Sequence, residues 1–348
     1  MRKQFSSVNH EIRKKVFGDS WYAVEMHDIC DSLDERLKTN VPPIIVAAAK
    51  RFGIVRGALL FAFSRTYATV VTCPSTHGFL PFLFLEYLFS GETHRVVLLE
   101  FIRGEAPNNF LRRLIHPLWL KVFVGPVFRK TIRYAHILSE YEQERYSQLY
   151  RIPKQSFVFV PWLMRLPSDV MPERCLVVAK SDTVVASGRA ACDWGLIFKA
   201  SAGQPWPLVV ICSKKDFAQV VRLNSDNRAI VLCDITREAH QRYVREAAVY
   251  VLSLRETYYS AGHVRLRDCV REGTPVIATD VTALKGYIIH NETGILTPPA
   301  DPSAMRRAIE TMLADRSRGR NMAKLAFEVA GNCTREVYLE KIGHLLLS

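Results

Sequence analysis

The sequence predicts an α/β protein of two domains, each built on a parallel sheet. The chain has 348 residues, which is long for a single hydrophobic core, and 49% of them are hydrophobic. Short β-branched runs alternate with amphipathic or apolar segments, which is the pattern of strand–helix–strand units. In several units a strand is followed by small or polar residues that lead into a helix. Open α/β sheets bind phosphorylated ligands at such points.

The first domain is predicted to span residues 1–165, followed by a proline-containing linker at 166–182. A run at 59–63 fits either a strand or a buried helix turn, and Ser139 is the expected N-cap of the last helix. Strands are expected at 21–24, 68–72, 95–99, 134–138 and 157–160, and helices at 44–51, 79–89 and 139–150.

The second domain is predicted to span residues 183–333, with a C-terminal helix at 334–348 that packs back on the first domain. Strands are expected at 183–186, 208–212, 229–232, 249–252 and 276–279. Helices are expected around 196–200 and at 237–248, 264–271 and 302–315, and Gly273 is expected to end the third of these.

Composition restricts the classes of protein to which the chain can belong. The eight cysteines are scattered without a CxxC pair, so they are interpreted as buried apolar residues in a reducing compartment. No uninterrupted apolar run is long enough for a transmembrane helix, and the N-terminus lacks the apolar core of a signal peptide. A cytoplasmic protein is expected, with no tightly bound cofactor and no metal site.

The net charge of +13 is concentrated in the first half of the chain. Residues 1–165 hold 23 lysines and arginines against 14 acids, whereas residues 166–348 hold 24 against 20. The segment 102–133 is basic, apolar and aromatic, which suits helices lying on an anionic membrane surface. A helix packed in the domain with a basic solvent face would have the same composition, and both interpretations stay open.

The most informative stretch runs from 249 to 299. It contains a buried strand, the loop Ser260-Ala261-Gly262-His263, a helix, and a second strand that begins after Gly273-Thr274-Pro275. A loop of small residues at the carboxyl end of a strand is a place for a phosphorylated ligand. Many α/β domains hold such a loop with no ligand, so the loop by itself leaves both possibilities open.

The continuation of this stretch resembles a known family. Gly273-Thr274-Pro275-Val276-Ile277-Ala278-Thr279-Asp280, then His290-Asn291-Glu292-Thr293-Gly294, then Asp301-Pro302 before an amphipathic helix, are similar to the nucleotide-sugar half of family 4 glycosyltransferases. The resemblance is clearest over residues 183–348. It implies the GT-B fold, with two Rossmann-like, doubly wound domains that face a cleft, and a nucleotide diphosphate sugar as donor, UDP- or GDP-linked.

The resemblance also implies donor-binding residues. Gly188-Arg189 takes the place of a Gly-Arg pair whose guanidinium binds the donor diphosphate, a role that suits the planar, permanently charged arginine. The family's nearby lysine is absent because Trp194-Gly195 stands in its place, so Lys214 or Lys215 is the candidate replacement.

Of the family's two glutamates, the later corresponds to Asp268, which would accept hydrogen bonds from the donor ribose. The register of the earlier glutamate falls on Ser260, and Glu256 lies four residues upstream. The backbone of Ser260 to Gly262 would present N–H groups to the diphosphate, and His263 is a further phosphate donor.

Catalytic candidates in the first domain follow its strands. His77, in a small polar loop, is the first candidate to contact the sugar or the acceptor, although a loop histidine is often structural. Glu100, Arg103 and Glu105 follow the next strand. A carboxylate among them would be the general base of an inverting enzyme, whereas a retaining enzyme, as the resemblance implies, requires no side-chain nucleophile.

The sequence therefore predicts a hexosyltransferase at the inner face of the membrane that uses a glycan or lipid-linked acceptor, in polysaccharide or glycoconjugate synthesis. The missing lysine and the displaced glutamate leave open a catalytically degenerate subunit of a polysaccharide-synthesis complex. A nucleic-acid partner is not expected, because the basic residues accompany apolar helices and the sequence has no recognisable motif that reads a nucleic-acid groove. An epimerase would need an N-terminal GxGxxG, which the sequence lacks.

Overall fold

The structure, a computed structural model, divides the chain into two compact units. The first comprises residues 1–160 and 339–348, and the second comprises residues 161–338. The structure describes residues 21–23, 41–65, 69–74, 77–91, 94–101, 116, 118–162, 164–165, 169–172, 175, 181–257, 259–334, 337–338 and 340–343.

The first unit contains a five-stranded parallel sheet in the order β1-β2-β3-β4-β5. Its strands are β1 (Trp21–Ala23), β2 (Val70–Thr72), β3 (Val96–Leu98), β4 (Ile132–Ile137) and β5 (Phe157–Phe159). Its helices are α1 (Pro43–Arg51), α2 (Gly53–Ser64), α3 (Phe79–Phe89), α4 (Gly125–Thr131) and α5 (Glu140–Tyr150). The ambiguous run at 59–63 therefore belongs to a helix, α2.

Two local features of the first unit are a helix cap that the sequence predicts and a proline inside a helical segment. Ser139 and Glu142 form a capping box at the start of α5, so the helix begins where its cap residue predicts. Pro126 lies near the start of α4, and the chain is helical on both sides of it. A π-helical turn, Leu120–Val124, leads directly into that helix.

The second unit contains a six-stranded parallel sheet in the order β11-β10-β9-β6-β7-β8. Its strands are β6 (Val184–Ser187), β7 (Leu208–Cys212), β8 (Ile230–Cys233), β9 (Val249–Leu252), β10 (Val276–Thr279) and β11 (Ile295–Thr297). Its helices are α6 (Trp194–Ser201), α7 (Lys214–Leu223), α8 (Arg237–Glu246), α9 (His263–Glu272), α10 (Pro302–Ala314) and α11 (Arg316–Val329).

The strand order of this sheet is that of a doubly wound nucleotide-binding fold. Strand β6 pairs with β7 on one side and with β9 on the other, so the order reverses between β6 and β9. The strands β6, β7, β9 and β10 are buried along their whole length, as expected for a parallel sheet covered by helices. Ligands of such sheets bind at the carboxyl ends of the strands where the order reverses.

Two glycines fix the bounds of α9. Gly262 precedes the helix with a φ of 89°, and Gly273 follows it with a φ of 66°, both in the left-handed region that favours glycine. The N–H of Gly273 donates to the carbonyls of Cys269 and Val270, which ends the helix. Among the described residues, no helix has both the length and the apolar content that crossing a bilayer requires.

Candidate functional site

Two loops leave the second sheet side by side at its reversal point, one after β6 and one after β9. The N–H of Asp193 donates to Ser253 O over 2.8 Å, and Ser253 Oγ donates to Asp193 O over 2.7 Å. The N–H of Arg255 donates to Ala191 O over 2.8 Å. Because each loop bonds the other, the site is held in one arrangement before any ligand arrives.

A cavity of about 290 Å³ lies beside these loops. It is lined by the carboxyl ends of β6, β7 and β8 together with residues of α8 and α9. Its charged lining residues are four arginines and two acids: Arg189, Arg237, Arg265, Arg267, Asp234 and Asp268. The excess of guanidinium groups makes this cavity suited to an anionic ligand that is large enough to span several of them.

Three of the four arginines lie close to the two acids. Arg189 Nη2 lies 3.6 Å from Asp234 Oδ1, and its side chain is 68% exposed. Arg265 Nη1 lies 3.3 Å from Asp268 Oδ2, and Arg267 Nη2 lies 3.5 Å from Asp268 Oδ1. Asp268 is buried, so its carboxylate is placed by the helix and by the two guanidinium groups rather than by solvent.

A buried network connects α8 to the end of β6. The Nε2 atom of His240 lies 2.8 Å from Ser187 Oγ, which also hydrogen-bonds the hydroxyl of Tyr250. Arg265 Nη1 lies 3.5 Å from His240 Nδ1, and Asp268 Oδ2 lies 3.8 Å from the same atom. The imidazole is therefore held between α9 and the end of β6.

Electrostatics keeps this histidine neutral. Burial, followed by the charges of Arg265 and Arg189, lowers the pKa of His240 from 6.5 to about 4. Burial also raises the pKa of Tyr250, so its hydroxyl stays protonated. The Ser187–His240–Tyr250 network is consequently uncharged beside a cavity whose lining carries a positive excess.

Acid is expected to destabilise the second unit through His240 between pH 6.5 and 4. The unfolded chain takes up a proton at His240 near pH 6.5, whereas the folded state resists protonation down to about pH 4. Since the unfolded state binds more protons in this window, stability falls as the pH is lowered, by up to about 3 kcal/mol for this group. The melting temperature should change less steeply between pH 4 and pH 7 for His240→Gln than for the wild type. Equal slopes in the two proteins would contradict the lowered pKa of His240.

The structure brings three of the predicted donor-binding residues to the cavity. Gly188, Arg189 and Asp268 line it, although 80 residues of chain separate the pair after β6 from the carboxylate on α9. A Cβ atom on Gly188 would lie 2.2 Å from Cys192 Sγ, so a larger residue there would require the Cys192 side chain to move. Lys214 is exposed at the start of α7 and is not among the residues that line the cavity.

The other predicted donor-binding residues lie in the loop after β9 and at the start of α9. Both carboxylate oxygens of Glu256 accept the N–H of Thr282, at 3.1 and 3.3 Å, so this side chain is engaged within the second unit. Ser260 and His263 are buried, and the His263 ring packs edge-on against Tyr287 with centroids 4.4 Å apart. Gly262 stands at the helix N-cap.

The predicted catalytic residues of the first unit are described only in part. His77 is exposed in the turn between β2 and α3. Glu100 follows β3 with a φ of 48°, and its N–H donates to His136 Nδ1 over 3.1 Å. Arg103 and Glu105 lie outside the described residues. Burial lowers the pKa of His136, whose Nε2 bonds Val160 O at 2.8 Å, so a neutral histidine fixes the backbone of Glu100.

Sequence reasoning missed Arg265, Arg267, Arg237 and the network of Ser187, His240 and Tyr250. Arg265 precedes Asp268 by one helical turn, and this i, i+3 spacing was a signal that could have found it. His240 gives no such signal, because 53 residues separate it from Ser187.

The second unit also matches a known family in sequence. Residues 194–315 match the sequence model of the family described as Glycosyl transferases group 1. This segment is therefore similar in sequence to the group 1 glycosyltransferases. It contains the loop between β9 and α9, and it contains α9 with Asp268, Arg265 and Arg267. The resemblance predicted from the sequence is therefore confirmed.

Solved glycosyltransferase structures are similar to this chain along most of its length. Sucrose-phosphate synthase from Thermosynechococcus elongatus is 18% identical with a TM-score of 0.62, covering 92% of this chain and 81% of its own. HepE from Anabaena, in complex with UDP-glucose, is 14% identical with a TM-score of 0.61, covering 88% and 82%. A glycosyltransferase from Rickettsia africae is 13% identical with a TM-score of 0.61, covering 97% and 94%.

At these identities the similarity establishes the fold, which is the predicted GT-B fold of two Rossmann-like domains. No curated protein matches the sequence. Within the described ranges, no group of three or more histidine, cysteine, aspartate or glutamate side chains is arranged to hold a metal ion.

Proposed function

We propose that this chain is a glycosyltransferase that moves a hexosyl group from a nucleotide diphosphate sugar to an acceptor hydroxyl. The observation that carries the proposal is the arginine-lined cavity at the reversal point of the second sheet, with Asp268 inside it. Most of its lining, including Asp268 and Arg265, lies in the segment 194–315 that matches the group 1 family, and a structural neighbour, HepE, was solved in complex with UDP-glucose. The donor is a UDP- or GDP-sugar.

Each part of the cavity has a role in binding this donor. The carboxylate of Asp268 accepts hydrogen bonds from the vicinal hydroxyls of the ribose, an arrangement that suits two adjacent O–H donors. Arg189 and Arg265 bind the diphosphate, and Arg265 supplies the positive charge that the family's absent lysine would provide. The backbone N–H groups at the start of α9 add donors at the positive end of the helix.

The chemistry follows from this charge distribution. As the bond between the anomeric carbon and the phosphate oxygen breaks, the leaving diphosphate gains negative charge, which the arginines stabilise. The acceptor hydroxyl oxygen forms the new bond to the anomeric carbon and its proton passes to the leaving diphosphate, and a retaining outcome requires no protein nucleophile. The first unit is proposed to bind the acceptor, a lipid-linked or anionic glycan, with His77, Glu100, Arg103 and Glu105 as the residues that contact the reacting groups.

The experiment is calorimetric titration with UDP, GDP, ADP and TDP. One diphosphate should bind the wild type, and Arg189→Ala and Asp268→Ala should each weaken it by about 10- to 100-fold, since each removes a charged partner. Arg222→Ala is the matched control, because Arg222 is an exposed arginine on α7 whose Nε donates within its own helix. Unchanged affinity in both cavity variants would contradict the proposal.

A second candidate is a catalytically degenerate subunit of a polysaccharide-synthesis complex. It is favoured by two observations: the absent lysine, and the engagement of both Glu256 oxygens by Thr282. The two candidates differ in turnover. An assay for donor hydrolysis or transfer that gives product with the wild type, and none with Arg189→Ala, would favour the enzyme. Tight diphosphate binding without turnover would favour the subunit.

Peripheral association with an anionic membrane is a further part of this proposal, because a lipid-linked acceptor lies at such a surface. The basic excess of the first half of the chain supports it.

A further inference from the structure

Helix α3 exposes an apolar face instead of a polar one. Leu80, Phe84 and Leu88 follow one another at i, i+4 and i+8, and each is 50% exposed or more. Phe89, at the end of the helix, is exposed to a similar extent. The acid of this helix, Glu86, is buried. Surface helices of globular proteins bury an apolar stripe and expose a polar one, whereas α3 is apolar on its buried face and on its exposed face.

The π-helical turn before α4 has the same character. Leu118, Val122 and Phe123 are each more than 50% exposed. Lys130 of α4 links the two regions, because its Nζ donates to Tyr87 O over 2.6 Å and lies 5.2 Å from the centre of the Tyr87 ring. Helix α3 also packs on α2, where Phe61 contacts Phe89 with ring centroids 6.4 Å apart. We call Leu80, Phe84, Leu88, Phe89, Leu118, Val122 and Phe123 the apolar surface.

The charges on these elements have one sign. Within the described ranges 41–65, 77–91 and 118–133, the sole acid is Glu86, whose Oε2 lies 3.5 Å from the buried Arg95 Nε. The basic residues that are exposed or half-buried there are Lys50, Arg51, Arg65, Lys121, Arg129, Lys130 and Arg133. Among the described residues, then, the helices that carry the apolar surface offer solvent positive charge and no negative charge.

We propose that the apolar surface inserts into the interface of an anionic bilayer, with the surrounding lysines and arginines against lipid headgroups. Leucine and phenylalanine side chains enter the boundary of the acyl chains, and long basic side chains reach the headgroups from the same helices. Uniform positive charge favours an anionic lipid surface over a second copy of this chain, because two copies would bring like charges together. The inference gives the proposed membrane association a defined surface.

The test is co-sedimentation of the full chain with vesicles of phosphatidylcholine alone and of phosphatidylcholine with phosphatidylglycerol. The wild type should bind the anionic vesicles, and added salt should weaken binding. Leu80→Ser/Phe84→Ser/Leu88→Ser should reduce the partition coefficient by about tenfold or more, since it removes three side chains from the apolar phase. Phe217→Ser/Val221→Ser is the matched control, because it removes an exposed apolar i, i+4 pair from α7 in the second unit.

Three outcomes would overturn the proposal. The first is a wild type that binds no vesicle, and the second is a triple variant that binds as tightly as the wild type at an unchanged melting temperature. The third is a dimeric wild type and a monomeric triple variant with equal vesicle binding, which would make the surface an interface between copies. Diphosphate binding by each variant is measured in parallel, so a failure of the donor proposal is distinguished from a failure of this one.

Discussion

Replacing Glu86 by leucine is expected to lower the free energy of unfolding of the first unit by about 3 to 5 kcal/mol. Glu86 of α3 and Arg95 before β3 form an ion pair whose side chains are 0% and 4% exposed. Arg95 Nη2 also donates to Ser64 O at the end of α2, over 2.6 Å. Removing the carboxylate takes the Glu86 partner away from a guanidinium that stays buried between these elements, and weakening the pairing of a buried charge is costly.

Hydrogen exchange of peptides from β2 and β3 measures this change, because it observes the first unit by itself. The double variant Glu86→Leu/Arg95→Leu is the control. Because it removes both charges, it should be more stable than Glu86→Leu and recover most of the lost free energy of unfolding. About 1 kcal/mol should remain lost, because the Ser64 carbonyl loses the Arg95 donor. A single variant as stable as the wild type would show that the pair contributes nothing.

Replacing Thr279 by valine is expected to cost about 2 to 4 kcal/mol in the second unit and to weaken diphosphate binding. Thr279 is fully buried at the end of β10. Its Oγ1 accepts the N–H of Leu254 at 3.0 Å and donates to Leu254 O at 2.9 Å. Valine keeps the shape but offers neither group, so the buried backbone of Leu254 loses both bonds at the start of the loop after β9.

The loop that Thr279 fixes leads to α9 and Asp268, so its displacement reaches the cavity. Thr279→Ser is the control, because it retains the hydroxyl and should keep most of the stability and the affinity. Calorimetry of the diphosphate and hydrogen exchange of β9 and β10 peptides give the two readouts. If Thr279→Val binds the diphosphate as the wild type does, the loop is not positioned by this hydroxyl.

The parts of the fold that sequence predicts are those fixed by local chemistry. The strand, loop, helix and strand from 249 to 279 lie where periodicity and Gly273 place them, because the left-handed turn there requires glycine. The capping box of Ser139 is likewise a property of neighbouring residues. The run at 59–63 was ambiguous because α2 carries apolar residues on several faces, so no single period identifies it.

The parts that sequence does not predict are contacts between distant segments. Arg189 and Asp268 could be named because a family resemblance assigned them, and the structure places both at one cavity. The contact between His240 and Arg265 and the neutral state of His240 depend on how α8 and α9 pack together, which no spacing in the chain encodes. The solvent exposure of the apolar face of α3 could not be predicted from the sequence for another reason. An apolar helix has the same sequence pattern whether its faces are buried or exposed.

The reversal of strand order in the second sheet also determines when the site can form during folding. Strands β6, β7 and β8 pair in chain order, but β9 must return to the far side of β6 before the cavity exists. The contacts that complete it, Ser187 to His240 and Asp193 to Ser253, join residues 53 and 60 positions apart. Closing such long loops is slow, so the site is among the last features of this unit to assemble. A ligand that binds the completed site therefore lowers the unfolding rate of this unit. It leaves the rate of the folding steps that precede formation of the site unchanged.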